Sequence, residues 1–193
     1  MSRFFPHAPY AEDQPLARTI LTTHVATRAV TTGTILGVGA SEALRVIRSL
    51  RGGKPTSPTA APPGGSTAPG GSSNGMLPRL LRPAATGSLV GVGLAAAALA
   101  LRMRGREPVE WQDRSWRLLA NRGQVETDDW TYAAMAAAAA ASLASARGRA
   151  LGLVGVVGAL GLGSVGGMVG YLAWRHGVLG GRVPDAGRDA IVE

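Results

Sequence analysis

Catalysis and metal binding need side chains that titrate, ligate or attack, and few of these stand at useful spacing here. The 193 residues contain three histidines and no cysteine. His7, His24 and His176 lie far apart in the chain, which leaves no thiolate zinc site and no histidine pair at metal-ligand spacing. No nucleophile-elbow motif accompanies any Ser, His and Asp combination. Gly161-x-Gly163-x-x-Gly166 matches the glycine pattern of a dinucleotide fold, and Gly91-x-Gly93-x-x-Ala96 its looser form. That motif works only where a strand enters and a helix leaves it. Both matches fall inside long apolar runs, which argues against nucleotide binding. Lys54 follows Gly52-Gly53 but precedes Pro55, so no phosphate loop is formed there. These residues argue for a chain with no catalytic residue, no metal and no cofactor of its own.

Arg28 is the most informative charged residue, because it falls within an otherwise uncharged run that also contains His24. An ionisable group within a membrane span must pair or reach water. Glu42 falls near the same helical face. If the run begins at about Ala26, Arg28 instead reaches the interface, where a lipid phosphate or a partner carboxylate is its counter-ion.

The elements that hold these residues are read from the segregation of charge. Hydrophobic residues make up 46% of the chain and charged residues 17%, below the roughly 25% of ordinary soluble domains. A helix crossing lipid needs about 20 mainly apolar residues. Four runs approach that length, at about 19–41, 84–101, 130–146 and 150–174. Period-two alternation is missing, so the expected fold is all-α: an integral membrane bundle of four transmembrane helices. Arg147-Gly148-Arg149 reads as a tight polar turn joining the last two. Residues 52–78, rich in Gly, Pro and Ser, read as a flexible loop. Residues 107–122 read as a short amphipathic interfacial helix: Pro108 starts it, Gly123 stops it, and Glu110/Arg114 and Asp113/Arg117 are i,i+4 pairs. Thr127-Asp128-Asp129 reads as a cap for the third span.

Four spans put both termini and 102–129 on one side, and the loops on the other. The loop side carries Arg45, Arg48, Arg51, Lys54, Arg79, Arg82, Arg147 and Arg149 against Glu42 alone. A raw count of Lys and Arg does not orient the chain, but these flanking basic residues are almost unopposed, which favours the negative-potential side for the loops. The aromatics fall on the terminal side, where Trp130 and Tyr132 open one span and Tyr171 and Trp174 close another. The net charge of +8 is therefore read as attraction to anionic lipid, with no nucleic acid as partner. Arg28, Arg79, Arg82, Arg147 and Arg149 are the expected contacts to lipid, such as cardiolipin, or to acidic partner surfaces. Small residues recur every fourth position, at Gly33/Gly37/Ser41, Gly87/Gly91/Ala95 and Gly155/Ala159/Gly163/Gly167. Gly155, Gly163 and Gly167 are the expected helix-packing face, because helices in lipid associate by close backbone approach.

Several stretches resemble a known family. Pro6-His7, the first span at 18–39, Trp111–Asp129 (WQDRSWRLLANRGQVETDD) and Gly170-Tyr171-Leu172-Ala173-Trp174-Arg175 look like the fungal accessory membrane subunit of mitochondrial respiratory complex I called NUXM. The likeness covers most of the chain outside the loop. It implies a non-catalytic supernumerary subunit among other membrane-arm subunits of the inner-membrane NADH:ubiquinone oxidoreductase. In the four-span topology the termini then face the intermembrane space. Residues 1–14 lack a signal-peptide apolar core, and Glu12 and Asp13 spoil an acid-poor presequence, so that location requires internal targeting information. A weaker architectural likeness is to the Tim17/Tim22/Tim23 group of preprotein translocases, which has four Gly-rich spans. Its signature, an Arg three residues before an Asp, is not met: Arg122 is followed by Glu126, and the third span is alanine without glycine.

Overall fold

Caps and helix-breaking residues divide the chain into helices of unequal polarity. The computed structural model describes residues 4–52 and 76–181. Among these residues the chain is 86% helical and has no strand. A 3₁₀ turn, Ala11–Asp13, precedes α1 (Ala17–Leu50), α2 (Met76–Met103), α3 (Pro108–Ala120), α4 (Arg122–Ala144) and α5 (Ala146–Ala173). A π-helical turn, Trp174–Val178, continues α5. Of the loop expected at 52–78, residues 53–75 lie outside the described residues, and 76–78 already belong to α2.

Two segments, Arg79–Met103 and Ala146–Val178, are long and apolar enough to cross a membrane. The expected four spans are thus met by composition for α2 and α5 only. α1 is long enough, at 34 residues, but carries His24, Arg28 and several threonines. α4 opens with charged residues and continues largely in alanine, a weakly lipophilic residue.

The α3–α4 boundary differs from the sequence expectation. Asn121, not Thr127, caps α4, accepting from Gln124 N at 3.3 Å. Gly123 therefore sits in the first turn of α4 rather than stopping α3, and Asp128 lies inside a helix. The α4–α5 turn also moves: it falls at Ser145, whose Oγ accepts from Gly148 N at 3.0 Å. Arg147-Gly148-Arg149 forms the first turn of α5, and the chain breaks again at Gly152, where φ is +57°. On α3, Asp113 pairs with Arg117 as expected (2.9 Å), but Glu110 pairs with Arg106 (3.2 Å) instead of Arg114.

α5 is the central helix, touching α1, α2 and α4. α1 and α2 run antiparallel along a glycine seam. A Cβ placed on Gly33 would strike the Gly87 carbonyl, one on Gly37 the Pro83 carbonyl, and one on Gly91 would come 2.5 Å from Ala29 O. Gly163 and Gly167 of α5 face α4: a Cβ on either would lie 2.7 Å from a carbonyl, of Ala134 and Trp130 respectively. Gly158 faces Leu81 of α2. Gly155 lies elsewhere: its close neighbours are Gly148 and Leu151, in the turn before the Gly152 break. At the α1–α2–α5 junction Thr34 and Ser88 share a 2.7 Å hydrogen bond beside Gly161.

Burial is inverted relative to a water-soluble bundle. Thr31, Thr34, Ser88, Thr131 and Ser164 are buried, while Leu36, Leu89, Leu94, Leu153 and Val169 are exposed. A small apolar cluster of Ile20, Leu119 and Val125 ties α1, α3 and α4 together at the end that carries the N-terminus.

Candidate functional site

The charged groups inside the bundle converge on one carboxylate. His24 and Arg28 are one turn apart on α1, so they share a face. Opposite them, Asp128 projects from the second turn and a half of α4, its side chain 9% exposed. Asp128 Oδ2 lies 2.5 Å from His24 Nδ1, and Oδ1 lies 2.7 Å from Arg28 Nη2. The Arg28 contact is an ion pair whose direction falls outside hydrogen-bond geometry. Beside the triad, Tyr132 lines the same small cleft as His24 and Asp128. The neighbouring hydroxyls turn back onto their own helices: Thr27 donates to Thr23 O at 2.8 Å and Thr131 to Thr127 O at 2.7 Å.

The structure gives Arg28 a counter-ion within the chain. The carboxylate is Asp128, where the sequence alone points to a lipid phosphate or a partner carboxylate. Glu42 is not its partner; that residue pairs with Arg45 at 3.2 Å. The seam register shows how deep the triad lies. Ala29 faces Gly91, which puts Arg28 roughly midway between Arg82 and Arg102, about 30 Å apart along α2.

A second polar knot joins the start of α4 to the end of α5. Glu126 accepts from Arg122 Nε at 3.0 Å and from the Tyr171 hydroxyl at 3.0 Å, and Arg175 Nη1 donates to that hydroxyl at 2.6 Å. A third pins α3 beneath the N-terminal segment. Trp116 Nε1 donates to Ala8 O at 3.0 Å, Gln112 Nε2 to Glu12 O at 2.7 Å, and Gln14 Nε2 to Pro6 O at 2.9 Å. His7 stacks on Trp116, Arg18 lies over Trp111, and Phe4 meets Tyr132 edge-on. The amphipathic face expected to meet a membrane surface or a partner is thus directed in large part at α1 and the N-terminal segment, with Ser115 and Leu119 buried.

The remaining expected contact residues gather at the opposite end. Arg79 and Arg82 are exposed in the first turns of α2 and have no ion-pair partner among the described residues. Arg147 and Arg149 are exposed in the first turn of α5. Arg149 Nη1 also donates to the carbonyls of Leu143 (3.0 Å) and Ala144 (2.5 Å), closing the end of α4. α2 and α5 run parallel, since Gly158 faces Leu81 and Gly161 faces Ser88, so all four arginines share one end of the bundle.

Among the described residues, no group of three or more His, Cys, Asp or Glu is placed to hold a metal ion. The missed residues are Asp128, Glu126 and Tyr171. The available signal was that a cation inside α1 demands an acid, and Glu126, Asp128 and Asp129 lie together just before the alanine run. No protein-family model matches the sequence, and no curated protein matches it.

Proposed function

We propose that the chain is a four-span membrane protein of the mitochondrial inner membrane, with its termini in the intermembrane space. In this reading it is a non-catalytic accessory subunit of the membrane arm of NADH:ubiquinone oxidoreductase. It holds neighbouring subunits and anionic phospholipid such as cardiolipin at the edge of that arm.

The observation that carries the membrane part is the inverted burial. Soluble bundles hide Leu and Val and leave Thr and Ser outside; large contiguous apolar surfaces on a protein mark a non-aqueous neighbour. Here exposed Leu36, Leu94, Leu143 and Leu153 come from α1, α2, α4 and α5 alike. The interior polarity that counts against α1 as a span is neutralised locally. Thr27 and Thr31 bond to carbonyls one turn back, and Arg28 has Asp128. Backbone and side-chain groups satisfied in this way lower the cost of a polar helix in hydrocarbon.

The complex I part rests on the resemblance of Pro6-His7, Trp111–Asp129 and Gly170–Arg175 to the NUXM family. The structure gives those stretches concrete work in this chain. His7 and Trp116 stack, Asp128 neutralises Arg28, and Tyr171 and Arg175 bind Glu126. They form the joints between helices, consistent with a structural role.

Blue-native electrophoresis of mildly solubilised membranes, with an in-gel NADH dehydrogenase stain, tests the assignment. The tagged chain is expected to migrate with the stained complex. Migration apart from it, together with recovery of preprotein-import components, would overturn it in favour of the translocase reading.

A further inference from the structure

A groove of about 720 Å³ runs along the outer face of the α1–α2 seam. Its floor is backbone, formed by Gly33, Gly37, Gly87 and Gly91, where each glycine already meets the opposite helix. Its walls are apolar: Leu36 and Leu44 of α1 face Val90 and Leu94 of α2. Arg45 and Arg48 line one end of it. The seam pairs Gly37 with Pro83, so these two arginines lie beyond the level of Arg79, at the basic end of the bundle. Arg45 is partly neutralised by Glu42, at 3.2 Å between exposed groups, whereas Arg48 has no ion-pair partner among the described residues.

We propose that this groove is a binding site for one anionic phospholipid, with an acyl chain along the Leu36–Leu94 walls and the phosphate at Arg45 and Arg48. The inference rests on the membrane reading above and deepens it by assigning a lipid site to residues outside the Arg79, Arg82, Arg147 and Arg149 group. Charge complementarity selects the occupant. A purely apolar cleft would accept any chain, but two guanidinium groups at its mouth select a phosphate attached to that chain. A third helix fits less well. Close helix packing needs a strip of small residues facing outward, and the glycines here are already occupied by the α1–α2 contact. The walls beside that contact mix Ala40, Ser41 and Thr86 with Leu36, Leu44, Val90 and Leu94, and the long leucine side chains conform to an acyl chain.

The test uses the full chain reconstituted in phosphatidylcholine vesicles containing either a phosphatidylglycerol or a phosphatidylcholine with a photoactivatable acyl chain. Flotation with the vesicles checks the membrane reading separately: a chain that stays in solution overturns that reading and the site with it. For a chain that floats, phosphatidylglycerol adducts are expected on α1 between Leu36 and Leu44 and on α2 between Thr86 and Leu94. The Arg45→Gln/Arg48→Gln variant is expected to lower this labelling about tenfold, since each juxtamembrane cation is worth about fivefold near an anionic surface and Arg45 is partly offset by Glu42. Ala40→Trp, at an exposed wall position, is expected to lower it with both charges intact. Equal labelling by the phosphatidylcholine probe, labelling unchanged in both variants, or cross-linking of the groove to a second copy of the chain would each overturn the proposal.

Discussion

Asp128 joins α4 to α1 through two basic partners. It accepts from His24 and forms an ion pair with Arg28, both on another helix, and its own side chain is 9% exposed. Removing one partner of a buried pair leaves the other charge without compensation, which costs about 3–5 kcal/mol in a fully buried site. Arg28 is 30% exposed, so the effect is smaller here, and Asp128→Asn is expected to cost roughly 2–3 kcal/mol. Denaturant unfolding of the detergent-solubilised chain measures it. The double variant Arg28→Met/Asp128→Leu removes both charges together and is expected to recover part of that loss, because an apolar pair replaces an ion pair at little net cost while His24 still lacks its acceptor. A double variant no more stable than Asp128→Asn would show that the carboxylate acts through something other than Arg28.

At the scale of elements, glycine placement decides which helices touch. A Cβ on Gly87 would strike the Gly33 carbonyl, whereas a Cβ on Gly93, six residues on in the same helix, meets nothing within 4 Å. Gly93→Ala is therefore expected to stabilise α2 slightly, by up to about 1 kcal/mol from helix propensity. Gly87→Ala is expected to destabilise by about 1–3 kcal/mol through overpacking. Thermal unfolding of the two variants side by side checks the seam, and equal transitions would contradict it. The periodicity of Gly33/Gly37 and Gly87/Gly91 made this seam legible in the sequence, as the uncharged runs did for the helices themselves. The joints were harder to read. Thr127-Asp128-Asp129 has the composition of a cap, but Asn121 offers the same chemistry six residues earlier, and burial of Asp128 against α1 favours the longer helix. Glycine periodicity on α5 also could not distinguish Gly163, which faces α4, from Gly155, which faces the turn before it. That difference depends on the φ of +57° at Gly152, a backbone break inside an unbroken apolar run.

Over the whole molecule, polarity is arranged in three zones. Among the described residues, aromatic and hydrogen-bonded joints gather at the end bearing the N-terminus, where arginines are matched by acids; at the other end arginines face Glu42 alone, and between the ends lies a belt of exposed Leu, Val and Ala around small and hydroxyl residues. A belt on all four long helices is the central claim, because composition alone supports crossing only for α2 and α5. The chain has no cysteine, so single cysteines can be introduced one at a time and probed in native membranes with a water-soluble maleimide. Thr32, Leu94, Ala136 and Val169 are exposed positions in the belt, one on each long helix, and Ser49 is exposed near the end of α1. The account predicts that cysteines at all four belt positions resist labelling until the bilayer is dissolved, while Ser49→Cys reacts from one side of the membrane. Labelling of Thr32→Cys and Ala136→Cys at the rate of Ser49→Cys, with Leu94→Cys and Val169→Cys still protected, would contradict it and leave a chain that crosses the membrane twice.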